Sequence, residues 1–114
     1  MRKSLFEKLS REYEKYNHEY ESLYIEHSFP NINEVSYIKG KCYALYEILM
    51  YSDTKFTTSV INDFKVRLRL NENDYKTSLE HYCDEAPEYE YLNHPMYYKG
   101  CMEIYKDVIQ QISK

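Results

Sequence analysis

A chain of 114 residues, 43% of them hydrophobic and 30% charged, is long enough for one modest core and too short for two, and this composition excludes wholesale disorder. A net charge of -4 and a pI near 5.6 argue against a general nucleic-acid binder, whose affinity comes from clustered Lys and Arg. Fifteen tyrosines make up much of the hydrophobic fraction, and the mean hydropathy is low at -0.79; each tyrosine has an apolar body and a polar tip, suited to the boundary of a thin core or to anchoring a partner.

No window approaches the ~20 apolar residues that span a bilayer, and Met1-Arg2-Lys3-Ser4-Leu5-Phe6 lacks the apolar stretch of a signal peptide, so a cytoplasmic protein is expected. Cys42, Cys83 and Cys101 are odd in number and without CxxC spacing, which fits reduced thiols, with Cys42 and Cys101 on apolar faces.

In chain order, Phe6, Leu9, Tyr13, Tyr16, Tyr20, Leu23 and His27 recur in steps of three and four, which predicts a helix over about 3–27 that ends before Phe29-Pro30. Asn31 offers an N-cap, with Glu34 three residues on, so a second helix starts near 32 and runs to Ser52-Asp53. Its apolar residues form two seams, one of Val35, Ile38, Cys42, Leu45 and Leu49, the other of Tyr37, Ala44, Ile48 and Tyr51. That marks it as a central element packed on two sides.

The stretch 55–70 reads two ways. Phe56, Val60, Phe64 and Leu68 at intervals of four favour a helix from near Thr54. Phe64, Val66, Leu68 and Leu70 alternate with Lys65, Arg67 and Arg69 as a half-buried strand would, with Asn62-Asp63 as a hairpin turn. A lone hairpin is marginal, so helix is the favoured reading. Asn71-Glu72-Asn73-Asp74 is expected to interrupt it, with a new helix capped by Asn73 or Asp74 and ended by Ala86-Pro87. Asn93 or His94 then caps a last helix with Pro95 in its first turn and Tyr98, Cys101, Tyr105, Val108 and Ile112 along one seam.

Both glycines fall in one frame. Tyr37-Ile38-Lys39-Gly40 and Tyr97-Tyr98-Lys99-Gly100 each lead without a gap into an apolar helical run. Glycine inside a helix costs roughly 1 kcal/mol relative to alanine, so this repeated placement points to a helix crossing where a Cβ is not tolerated. The expected fold is all-α: one domain over 1–114, a small antiparallel bundle of four to five helices built as two related helical hairpins, with a β-hairpin near 55–70 as the alternative.

Chemistry-bearing patterns are sparse. His81-x-Cys83 puts two ligands on different sides of a helix, and Glu14 to His18 and Glu90 to His94 are four apart instead of the Glu-x-x-His of di-iron bundles. No glycine-rich turn is present to cradle phosphate or shape an oxyanion hole. Neither catalysis nor a cofactor or metal is expected.

Two charged features remain. Between Lys76 and Lys99 there is no Lys or Arg, while Tyr82, Asp84, Glu85, Glu88, Tyr89, Glu90 and Tyr91 interleave acid with tyrosine. Carboxylates steer a basic partner and rings anchor it, so this segment is the expected docking surface. Lys65, Arg67 and Arg69 would form a phosphate-contacting row if the segment were a strand. In size, biased composition and the Lys-Gly-then-apolar pattern of 37–51 and 97–112, the chain resembles small accessory proteins carried by phages and mobile elements of AT-rich bacteria. That resemblance implies a non-enzymatic inhibitor that docks on a basic host defence or nucleic-acid-processing protein. The alternatives are a structural homodimer and a small nucleic-acid-binding regulator using Lys65 to Arg69.

Overall fold

The structure, a computed structural model, describes residues 3–26, 31–51, 58–81 and 94–113. These residues form four helices, α1 (Lys3–Glu26), α2 (Ile32–Leu49), α3 (Thr58–His81) and α4 (Pro95–Ile112), and no strand lies among them.

α2 starts as its sequence dictates. Asn31 is extended and its side-chain oxygen accepts from the Asn33 amide at 2.8 Å, while Glu34 in the first turn complements the helix dipole. α4 starts on His94, whose Nδ1 accepts from the Met96 amide at 3.0 Å, with Pro95 filling a first-turn position where no amide donor is missed. In α1 the core is entered by Leu5 and Leu9, one turn apart, whereas Phe6, expected at the head of the seam, is turned away and exposed.

α3 corrects the reading of the middle segment. Phe64 to Leu70 is helical, Asn62-Asp63 lies within the helix instead of at a turn, and Asn71 to Asp74 does not interrupt it. The physical reason lies in how these polar groups are placed: the Asn71 side chain donates to the Arg67 carbonyl four residues back at 2.9 Å, and Asn73 and Asp74 face solvent. Phe64 is fully buried and Leu68 packs on the core, so the helical seam prevails over the alternation.

One apolar cluster joins the start of α1 (Leu5, Leu9), the end of α2 (Ala44, Leu45, Ile48), the start of α3 (Val60, Phe64) and the end of α4 (Tyr105, Val108). Each hairpin is therefore antiparallel, and α2 and α4 run in the same sense. The main pairings are α1 with α2, α2 with α4 and α4 with α3, the middle one most extensive. The result is a slab of 44 × 31 × 18 Å with α2 and α4 at its centre.

The two glycines are where α2 and α4 touch. A Cβ on Gly40 would lie 2.9 Å from the Tyr97 carbonyl carbon and closer still to its oxygen. One on Gly100 would lie 3.0 Å from the Lys41 amide nitrogen and closer to the Tyr37 oxygen. Neither glycine has a positive φ, so the requirement is for close approach and not for backbone freedom. The contact is reciprocal: each glycine meets the residue three before the other. Cys101 Sγ donates to the Gly40 carbonyl at 3.2 Å across this seam.

Candidate functional site

The expected docking residues Tyr82, Asp84, Glu85, Glu88, Tyr89, Glu90 and Tyr91 lie outside the described residues, as does Cys83. Their segment joins α4 at His94, a turn ahead of Tyr97 and Tyr98. Lys65, Arg67 and Arg69 do not form a row. On a helix alternate residues are turned by about 200°, so Arg67 faces the protein while Lys65 and Arg69 are exposed elsewhere. The aligned phosphate contact that a strand would have given is absent.

What the fold does organise lies on the two sides of the α2–α4 seam. Residues three before and three after a crossing glycine are displaced by about 60° to opposite sides of the contact direction. On one side Tyr37 meets Glu103, and on the other Tyr97 meets Tyr43.

On the first side the Tyr37 hydroxyl donates to the Glu103 carboxylate, and Lys41 Nζ lies 3.8 Å from the same carboxylate. The Lys41 ammonium also stands 4.4 Å from the Tyr37 ring centroid and 4.9 Å from that of Tyr16 on α1. Lys39 is held similarly, 4.8 Å over Tyr20. Burial raises the Tyr37 pKa, helped by the Glu103 carboxylate it bonds. Burial works to lower that of Lys41, but the bond to Tyr37 and the electron-rich neighbours Tyr16, Tyr37 and Glu103 raise it overall, so the ammonium stays charged. Beside this cluster, between α1 and α2, opens a cleft of about 420 Å³.

The second side is aromatic. Tyr43 and Tyr97 have ring centroids 6.2 Å apart, and Tyr97 meets Tyr98 edge-on at 5.5 Å. Tyr46 lies 6.5 Å from Tyr13 of α1, two turns from Phe6 on the same face. Tyr43, Tyr46 and Met50, at i, i+3 and i+7, are 47%, 52% and 71% exposed, and Phe6 is 36% exposed. This surface was missed from sequence. Its signal was the trio left over once both α2 seams had been assigned to the interior.

Beyond the crossing, Glu47 of α2 accepts from Arg67 of α3 on one oxygen and from the Tyr105 hydroxyl of α4, at 3.1 Å, on the other. Tyr105 is fully buried, and burial, then the nearby Glu47 charge, push its pKa well up, so it remains a neutral donor. Three helices are tied through one carboxylate. Burial likewise pushes the Cys42 thiol up to about 11 and that of Cys101 up to about 12, which leaves both unreactive near neutral pH. Among the described residues no three His, Cys, Asp or Glu side chains are grouped to hold a metal ion, and no helix is long and apolar enough to cross a membrane.

Comparison with family models, with curated proteins and with solved structures finds no match, so the residues alone carry the functional reading.

Proposed function

We propose that the chain is a non-enzymatic protein-binding module. One observation carries this reading: Phe6, Tyr43, Tyr46 and Met50 expose aromatic and thioether surface on one side of the α1–α2 hairpin, whereas the large apolar side chains exposed on α3, Val66, Leu70 and Leu79, are aliphatic. Tyrosine and methionine lose little on ordering relative to the area they bury, and such residues supply anchors at protein interfaces. Tyr43 of this surface packs against the buried Tyr97 of α4, and in the sequence α4 follows the acidic, tyrosine-rich stretch from Tyr82 to Tyr91. A surface combining rings with carboxylates suits a basic partner, and the finer form of the proposal is an inhibitor. It would occupy the nucleic-acid channel of a host defence or processing protein and exclude its substrate.

Affinity purification of the wild-type chain and of the triple variant Tyr43→Ser, Tyr46→Ser, Met50→Ser from the native host tests this reading. A protein that co-elutes with the wild type and is lost with the variant, at unchanged helicity, supports it. Equal recovery with both removes the aromatic side as the binding surface. Inhibition of the captured protein's nucleic-acid-processing activity by the purified chain tests the finer form.

A further inference from the structure

We propose that the outer face of α3 is a self-association surface, on which a second copy of this chain docks in parallel. α3 is the edge helix of the slab and packs on α4, while the aromatic side is built on α1 and α2, so this surface is separate from the one proposed above. Turned away from α4, Val66 and Leu70 stand one turn apart and are 54% and 57% exposed. Asn73 and Thr77 continue the same exposed stripe toward the C-terminal end of the helix.

The charges beside this stripe are sorted by sign. With Val66 as the midline, Arg69, Lys76 and Lys65 fall about 60–100° to one side, and Asp63 and Asp74 about 60–80° to the other. All five are exposed. Among the described residues neither Arg69 nor Asp74 has an ion pair. A face with bases along one flank and acids along the other is complementary to a copy of itself.

Symmetry then selects the orientation. With a two-fold axis along the helices the pair runs parallel, and the basic flank of each copy meets the acidic flank of the other. Antiparallel pairing would set base against base and acid against acid. In the parallel pair Arg69 faces Asp74 of the second copy, five residues on, as facing flank positions of parallel helices do, and the bridge forms twice. Val66 and Leu70 each meet their own copy, and the two Asn73 amides bond each other across the axis, a use of midline Asn that fixes register at a cost in stability. Glu80, about 40° from the midline, would meet its own copy with like charge, which ends the contact near Thr77. A nucleic acid laid on the same face would meet Asp63 and Asp74. Two apolar layers and two bridges make a small interface, so the association is weak and depends on concentration.

The experiment is sedimentation equilibrium of the full chain at rising concentration, with a reductant present so that no disulfide contributes. The weight-average mass is expected to climb from one chain toward two. Arg69→Asp and Asp74→Arg should each weaken association by about tenfold or more, because two attractive pairs become two repulsive ones. Mixed in equal amounts, these two variants should associate as tightly as the wild type, since the mixed pair regains both bridges, one of them with its signs exchanged. The double variant Val66→Ser, Leu70→Ser should stay at the mass of one chain. All four positions are exposed, so the variants are expected to fold, with helicity checked by circular dichroism.

A wild type that stays at the mass of one chain at every concentration would overturn the proposal, and so would single charge variants that associate as the wild type does. Stronger association of Arg69→Asp would show basic flanks facing each other in an antiparallel pair. A mixture no tighter than its components would show that Arg69 and Asp74 do not meet. Either outcome rejects the parallel pair. Self-association that survives the Val66 and Leu70 variant and is lost with the Tyr43, Tyr46 and Met50 variant would move the contact to the aromatic side and leave α3 without this role. A chain that stays single yet retains a host protein through Val66 and Leu70 would assign the face to a foreign partner instead.

Discussion

Tyr37 and Tyr97 hold equivalent places in the two glycine frames, three residues ahead of Gly40 and Gly100, yet they ended in opposite chemistry. Tyr37 donates to a carboxylate beside a caged lysine, next to a cleft with two further acids. Tyr97 packs among rings, against Tyr43 and Tyr98. The backbone contact between the helices is reciprocal and leaves no room for any side chain, whereas the positions 60° to either side carry no such constraint. The difference teaches that the crossing fixes the scaffold and the flanks are free to specialise, which is why the molecule has a charged side and an aromatic side on one frame.

Removing the shared frame should have the largest effect on both sides together. Gly40→Ala places a methyl within overlap of the Tyr97 carbonyl, and Gly100→Ala does the same at Tyr37. Alanine gains roughly 1 kcal/mol in helix propensity, but the atoms it meets are backbone and cannot rotate away, so a net loss of about 2 kcal/mol or more is expected. Leucine at either position should abolish cooperative unfolding. Urea denaturation followed by circular dichroism measures both, and a stabilised Gly40→Ala would break the comparison at its root.

That frame was legible because only two glycines exist and both sit in uninterrupted apolar helical runs. The cap at Asn31 was legible for a similar local reason, being a short polar side chain just ahead of an apolar run, and that of α4 was narrowed to Asn93 or His94, of which His94 serves. What escaped the sequence was side-chain placement, most of it nonlocal. Alternation in Phe64 to Leu70 imitates a strand until Phe64 is seen buried against Tyr51 and Tyr105, with ring centroids 5.2 and 6.0 Å away. Asn71 looks like a breaker until its side chain is found bonded back to its own helix. The Lys41 cage could not be read at all, since it draws on Tyr16, Tyr37 and Glu103 from three helices, and spacing along a chain does not encode such a meeting.

The next largest effect should come from Glu47, which joins the two hairpins below the crossing. Glu47→Ala leaves the Tyr105 hydroxyl, on a fully buried residue, without its carboxylate and Arg67 without its counter-ion. A loss of about 1–3 kcal/mol is expected, most of it from the buried hydroxyl, because the Arg67 side chain is 37% exposed and its pairing is screened by solvent. A double-mutant cycle of Glu47→Ala with Tyr105→Phe measures the shared part; additivity would show that the two groups act independently.

Cys101 sharpens the contrast between equivalent positions, since it follows Gly100 as Lys41 follows Gly40. Its thiol, pushed by burial from 9.0 up to about 12, and that of Cys42, pushed up to about 11, are protonated in the fold. A raised folded pKa contributes stability that is complete below pH 9 and is lost as pH climbs through 11 and 12, so the melting temperature should fall over that window. At pH 8 the thiolate fraction alone should slow alkylation of Cys42 by about 100-fold and of Cys101 by about 1000-fold relative to the unfolded chain. Peptide mapping after iodoacetamide treatment with and without urea checks this, and rapid labelling of Cys101 in the native chain would mean that the seam opens readily.

The smallest effect on stability is expected on the aromatic side. Tyr43→Ser, Tyr46→Ser and Met50→Ser each remove a side chain that is about half exposed or more, and Tyr46 gives up only a tilted ring contact with Tyr13. Surface changes of this kind shift stability by about 0.5 kcal/mol, with Tyr43 at the upper end because its ring also covers Tyr97. Thermal melts of the three single variants measure the shifts. Near-zero values would mean that these rings are kept on the surface without contributing to folding, the pattern of residues held for a partner. Losses comparable to that at Glu47 would instead make them part of the core's outer wall, and the two sides of the seam would then differ in chemistry but not in purpose.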